Sequence, residues 1–91
     1  MRLDKYLKIS RIIKRRTVAN EACDGGRVSL NDRVAKPSAE VKPGDVIAIR
    51  FGEHVGRYRV LQVKETVRKE ESGDLFELIS EDAAVNAERN A

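Results

Sequence analysis

Within its first thirty-two residues the chain changes backbone periodicity once, and that switch constrains the fold more than anything after it. The stretch MRLDKYLKISRIIKRRTVANEACDGG carries apolar residues at helical spacing, whereas RVSLND alternates like a strand. Leu3, Tyr6 and Leu7 recur at i, i+3 and i+4, which predicts a short helix over about 2–9 with Asp4, Lys5 and Lys8 on its other sides. Val18 with Ala22, and Ala19 with Cys23, form two i, i+4 pairs on one face of a second helix, and Thr17, Asn20, Glu21 and Asp24 fall opposite. Ile12 and Ile13 are too apolar for solvent and are expected to plug the angle between the helices. Gly25-Gly26 stops the second helix, because glycine takes the left-handed conformation that a helix C-terminus commonly needs. Arg27 to Leu30 then reads as a strand with Val28 and Leu30 inward, and Asn31-Asp32 supplies the turn of a hairpin into Arg33 to Lys36.

Beyond the hairpin, Pro37-Ser38 and Val41-Lys42-Pro43-Gly44-Asp45 break the chain. Ile47, Ile49 and Phe51 alternate, so Val46 to Phe51 is a half-buried strand with Phe51 in the core. Gly52 to Gly56 is expected to turn the chain, followed by a longer strand from Tyr58 to Val63. After a charged loop from Arg68 to Asp74, Leu75 to Ile79 adds a last strand, with Phe76 in the core. The fold expected is α+β, two short N-terminal helices on a small, mainly antiparallel sheet of four to five strands. Residues 1–79 would form one domain and 80–91 a flexible C-terminal tail.

The distribution of charge says more than its sum. Net charge is +3, yet residues 1–36 hold ten Lys or Arg against four Asp or Glu, and residues 37–91 hold eight against eleven. The basic half is the candidate surface for a polyanion. Its centre is Lys14-Arg15-Arg16, where the second helical pattern begins, and the partial positive charge of a helix N-terminus disfavours cations there by roughly 0.3–1 kcal/mol each. Stability does not select these residues, whereas a phosphate, bound jointly by helix-end amides and basic side chains, would.

Other classes are weakly supported. No apolar run approaches the roughly 20 residues that span a bilayer, and the chain starts with charges, so a cytoplasmic protein without a membrane partner is expected. The single cysteine, Cys23, excludes an internal disulfide and a cysteine-rich zinc site. His54, the one histidine, falls in an expected turn with no nucleophile beside it in sequence. Neither catalytic residues nor a cofactor nor a metal is expected. A helix-turn-helix reading DNA would present Glu21 and Asp24 to the duplex, which repels it; a platform contacting phosphates of folded RNA suits the pattern better.

Arg2-Leu3-Asp4-Lys5-Tyr6-Leu7, the Lys14-Arg15-Arg16 cluster, Gly26-Arg27-Val28-Ser29-Leu30-Asn31 and Val41-Lys42-Pro43-Gly44-Asp45-Val46-Ile47 together resemble the S-four-type RNA-binding domain, or αL motif, over about residues 1–51. The small size of the chain is similar to the RqcP (YabO-like) branch, which is related to a ribosome-associated heat-shock protein. This resemblance implies a non-enzymatic factor of ribosome-associated quality control; a monomer is expected. Such a factor binds large-subunit rRNA and peptidyl-tRNA and assists C-terminal alanine tailing, with the alanine-tailing factor as a possible partner. It places RNA-facing residues at Arg2, Asp4, Lys5, Arg11, Lys14, Arg15 and Arg16, with Arg27 at the rim. Asp4 would serve as a brace for Arg2 or Arg16, or would favour the N-terminus of the first helix, and Asn31 would make the turn. The alternatives are an accessory factor for an rRNA-modifying enzyme and the DNA-binding helix-turn-helix.

Overall fold

In the computed structural model, which describes residues 1–65 and 68–82, two helices cover one face of a single antiparallel sheet. Helix α1 is Leu3–Ile9 and α2 is Arg16–Asp24. The strands are β1 (Val28–Leu30), β2 (Arg33–Val34), β3 (Val46–Phe51), β4 (His54–Val60) and β5 (Phe76–Asp82), in the order β2-β1-β3-β4-β5. A 3-10 helix spans Lys69–Asp74, in what the sequence reads as loop.

The first thirty-two residues fold locally, by means visible in their side chains. At the end of α2 the Gly26 amide bonds the Cys23 carbonyl and the Arg27 amide bonds the Ala22 carbonyl, both at 3.0 Å, with Gly26 at φ 75°. That is the Schellman arrangement, which satisfies two orphan carbonyls of the helix. Asn31 and Asp32 both have positive φ, 53° and 69°, as a type I′ hairpin turn requires. The Asn31 side chain also accepts from the Val46 amide at 3.0 Å and donates to Asp45 at 3.1 Å, so the β1–β2 turn is tied to the start of β3. Asn31 is accounted for by the turn.

The core lies between the helices and one sheet face. Leu3, Tyr6 and Leu7 of α1 and Ala19, Ala22 and Cys23 of α2 meet Val28, Ile47, Ile49 and Val60, with Val41 and Leu75 closing the ends. Ile13 is buried and Ile12 packs against the cluster, so the two do fill the angle between the helices. Burial pushes the Cys23 thiol up to about 11, helped by the nearby Asp4 and Asp24 charges, and leaves it as a packed apolar side chain. Tyr6 reaches furthest, its buried hydroxyl donating to the Leu75 carbonyl at 2.6 Å and joining α1 to the start of β5. The N-terminus is fixed as well: the Leu3 and Asp4 amides bond the Ala39 and Pro37 carbonyls, and the Val41 amide bonds the Met1 carbonyl.

Several boundaries differ from the sequence reading. β2 stops at Val34: the Ala35 amide still bonds Val28, and Pro37, which has no amide hydrogen, follows soon after. The turn after β3 is only Gly52-Glu53, and Gly56 lies inside β4. A side chain at Gly56 would begin 2.7 Å from the Tyr58 hydroxyl, so here glycine makes room for a ring rather than bending the chain. β4 therefore ends at Val60, after which the Leu61 and Gln62 amides both turn to the Leu75 carbonyl. Phe51 is 46% exposed and Val18 44%, so neither belongs to the core. β5 runs to Asp82, three residues past the expected end; the rest of the expected tail, 83–91, lies outside the described residues.

Replacing Tyr6 separates its two contributions. Tyr6→Phe should cost about 0.5–1.5 kcal/mol in urea denaturation, because the Leu75 carbonyl keeps its two backbone donors when the hydroxyl is lost. Tyr6→Ala should cost about 3–5 kcal/mol through the cavity it leaves. Equal losses from both would show that the ring does not pack as described.

Candidate nucleic-acid interface

The site is built on one buried carboxylate. Asp4 is 2% exposed, in the first turn of α1 and facing α2. It accepts from Arg2 Nε at 3.1 Å, from Asn20 Nδ2 at 3.3 Å and from the Lys5 amide at 2.8 Å, and Arg16 Nη2 lies 3.5 Å away. Burial alone would raise its pKa. The hydrogen bonds from Arg2 and Asn20, the Arg16 charge and the Lys5 amide outweigh burial, and the carboxyl is held below its usual value. Arg2 and Arg16, one from just before α1 and one from the start of α2, thus meet at a single anion while about half of each side chain stays in solvent, 50% and 48%.

Asn20 was placed by periodicity on the open side of α2 with Thr17, Glu21 and Asp24. It is half-buried and turned to Asp4. The signal was present in the i, i+4 spacing of Arg16 and Asn20, which puts both on one side of the helix. With Asp4, Thr17 and Glu21 they line a shallow depression between the helices.

The other expected residues divide. Lys14 and Arg15 are exposed, with Arg15 as the N-cap of α2 in an extended conformation. No side chain caps the helix there and its first turn has no acid, so the opening amides face outward among cations. Arg11 ends α1 at φ 63°, a conformation that costs a non-glycine residue roughly 1–2 kcal/mol, and its side chain is exposed. Lys5 is drawn away: its ammonium pairs with Glu65 at 2.6 Å, a partner sixty residues distant that local sequence does not reveal. Arg27 stands apart, lining a groove with Ser29, Ala48, Arg50 and Arg57 on the sheet face away from the helices.

The lowered Asp4 pKa has a defined consequence. A carboxyl that ionises at lower pH when folded than when unfolded contributes stability fully above its unfolded value and loses it as pH falls through the folded one. Asp4→Asn should therefore destabilise the protein at neutral pH by about 1–3 kcal/mol and flatten the acid limb of the stability profile. An unchanged acid limb in thermal melts between neutral and acidic pH would remove Asp4 as its source.

The family model described as S4 domain matches residues 1–47. A protein of Halalkalibacterium halodurans named RQC P-site tRNA stabilizing factor is 50% identical over 97% of this chain and all of its own length. One of the same name from Bacillus subtilis is 48% identical over 90% of this chain and 95% of its own. Among solved structures, a trimeric heat shock protein 15 of Vibrio cholerae superposes with a TM-score of 0.79 at 32% identity, covering 86% of this chain and 80% of that one. With the αL arrangement of α1, α2 and the β1–β2 hairpin in place, the chain belongs to the S4 domain family, in the branch that includes the RQC P-site tRNA stabilizing factors.

Proposed function

We propose that the protein is a non-catalytic RNA-binding factor of ribosome-associated quality control. On this reading it docks on the obstructed large ribosomal subunit, contacts rRNA and the tRNA held there through their phosphates, and assists C-terminal alanine tailing of the stalled chain in the cytoplasm. The observation that carries the reading is the pairing of Arg2 and Arg16 on Asp4 beside the uncapped start of α2. A guanidinium has five N–H donors, so each arginine bound to Asp4 on one edge keeps donors for a phosphate on the other. The amides at the start of α2 and the exposed Lys14 and Arg15 complete an anion-binding corner. The names of the relatives, which refer to a P-site tRNA, agree with such a ligand.

Within this site Arg2, Arg16, Lys14 and Arg15 contact RNA, and Asp4 and Asn20 position the two arginines. Arg11 joins them from the turn, and Lys5 does so only on leaving Glu65.

Arg16→Ala should weaken binding to large subunits by roughly 10- to 100-fold, the worth of one charge-assisted contact, while circular dichroism shows the fold intact. Co-sedimentation equal to wild type would remove Arg16 from the interface. Arg11→Gly gives an opposite pair of effects. It should leave the fold unchanged or stabilise it by about 0.5–1 kcal/mol, by relieving the left-handed strain, yet weaken RNA binding. A variant that is no less stable and binds RNA as wild type would show that the Arg11 side chain has no such role.

A further inference from the structure

The sheet face turned away from the helices carries a second concentration of positive charge. Its groove is floored by Ser29 and Ala48, directly opposed in register, and bordered by Gly26, Val34 and Val55, with Arg27, Arg50 and Arg57 along it. The Arg50 amide bonds the Arg27 carbonyl at 2.9 Å, which continues the β1–β3 ladder and sets the two arginines on neighbouring strands. Arg57 lies opposite Ala48 and Arg50 opposite Val55, which makes Arg50 and Arg57 diagonal neighbours about 7–8 Å apart along this face. All three are exposed.

Like charges at adjacent positions of a sheet destabilise it, so folding does not favour this grouping. Arg59, on the same face, pairs with Glu77 at 3.4 Å, whereas Arg27, Arg50 and Arg57 have no ion pair among the described residues. The one acid that lines the groove among the described residues is Asp32, at the β1–β2 turn. Arg27 follows the C-terminus of α2, where a cation is favourable for the helix, so it has a structural reason to be there. Arg50 and Arg57 do not.

We propose that this groove is a second binding site for an RNA phosphate backbone, separate from the helix face, so that one protein molecule joins two RNA strands. The inference deepens the RNA-binding reading above and rests on it. The groove is lined by no aromatic side chain, its apolar share is limited to Val34, Ala48 and Val55, and its three arginines face a single acid, a charge balance that suits a sugar-phosphate chain. Arginine's planar fork matches a phosphate in two hydrogen bonds, and the small floor residues let a backbone approach the strands closely.

The test uses the full chain, a 20-base-pair RNA duplex as probe, and two variants, Arg16→Ala for the helix face and Arg50→Gln/Arg57→Gln for the sheet face. Titration followed by native mass spectrometry should give two duplexes per wild-type molecule and one for each variant. By fluorescence anisotropy, the sheet variant should lose the sheet-face binding step, weakened at least tenfold, while its remaining helix-face step keeps its affinity, and the overall salt dependence should be shallower. Circular dichroism and a melting midpoint no lower than wild type establish that the sheet variant folds, and the single variants Arg50→Gln and Arg57→Gln replace it if it does not. A sheet variant that still binds two duplexes with unchanged affinity and salt slope overturns the inference and leaves the helix-face reading intact. So does one that keeps both duplexes but loses large subunits, which would make the face a protein contact. If Arg16→Ala changes nothing while the sheet variant loses RNA, the helix-face reading falls and the groove stands.

Discussion

A single carboxylate fixes how this molecule presents its charge. Asp4, taken alone into the space between α1 and α2, would cost several kcal/mol in lost hydration. It is offset by donors from three directions: Arg2 before α1, the Lys5 amide within it, and Asn20 with Arg16 on α2. An apolar residue of similar volume could have joined the helices as firmly. What it could not have done is orient two guanidinium groups. One negative charge shared by two positive ones leaves the corner cationic, and the arginines are held at one edge only.

Elsewhere the chain departs from what stability alone would choose, and the departures share a sign. Cations open α2 although the helix dipole opposes them, and no side chain caps that end. An arginine occupies the left-handed position after α1, where glycine would fit without strain, as Gly26 does after α2. Arginines 27 and 50 sit side by side across two strands. By contrast the devices that build the fold are locally consistent: the Schellman end of α2, the type I′ turn at Asn31-Asp32, and the Asp45 side chain accepting from the Lys42 amide at 2.9 Å. Where local rules are kept the residues serve folding; where they are broken, the residue is basic and exposed.

This division explains what could be read from the sequence. The helices, the glycine stop and the hairpin turn are written in local patterns and appear where the periodicity puts them, whereas β2, β4 and β5 differ from the reading at their ends. Phe51 and Val18 were misread because burial depends on what covers a residue, and the helices are too short to cover the far end of β3. Gly56 read as a turn because glycine usually punctuates, and only the Tyr58 ring over it gives the other reason. Among the site residues, the consecutive Lys14-Arg15-Arg16 was plain. The Lys5–Glu65 pair and the separation of Arg27 from the helix face were not, since both depend on how distant segments pair. Arg50 was partly legible: Val46, Ala48 and Arg50 alternate with the buried Ile47 and Ile49, which already turned Arg50 away from the core.

Net charge is a poor guide to such a protein. A value of +3 would suggest weak, diffuse attraction to a polyanion, yet Lys14, Arg15 and the Asp4-bound arginines lie at one helix corner, while acids gather between Glu65 and Glu77. At physiological ionic strength the field of an exposed charge is screened over about 8 Å. What a ligand meets is therefore the local arrangement rather than the sum. A single-layer sheet with helices on one side makes this economical, since the core that joins the helices to the sheet also separates the helix corner from the open strand face. The same fourteen buried apolar residues thus serve as the only hydrophobic interior of the described chain and as the spacer between its two basic surfaces.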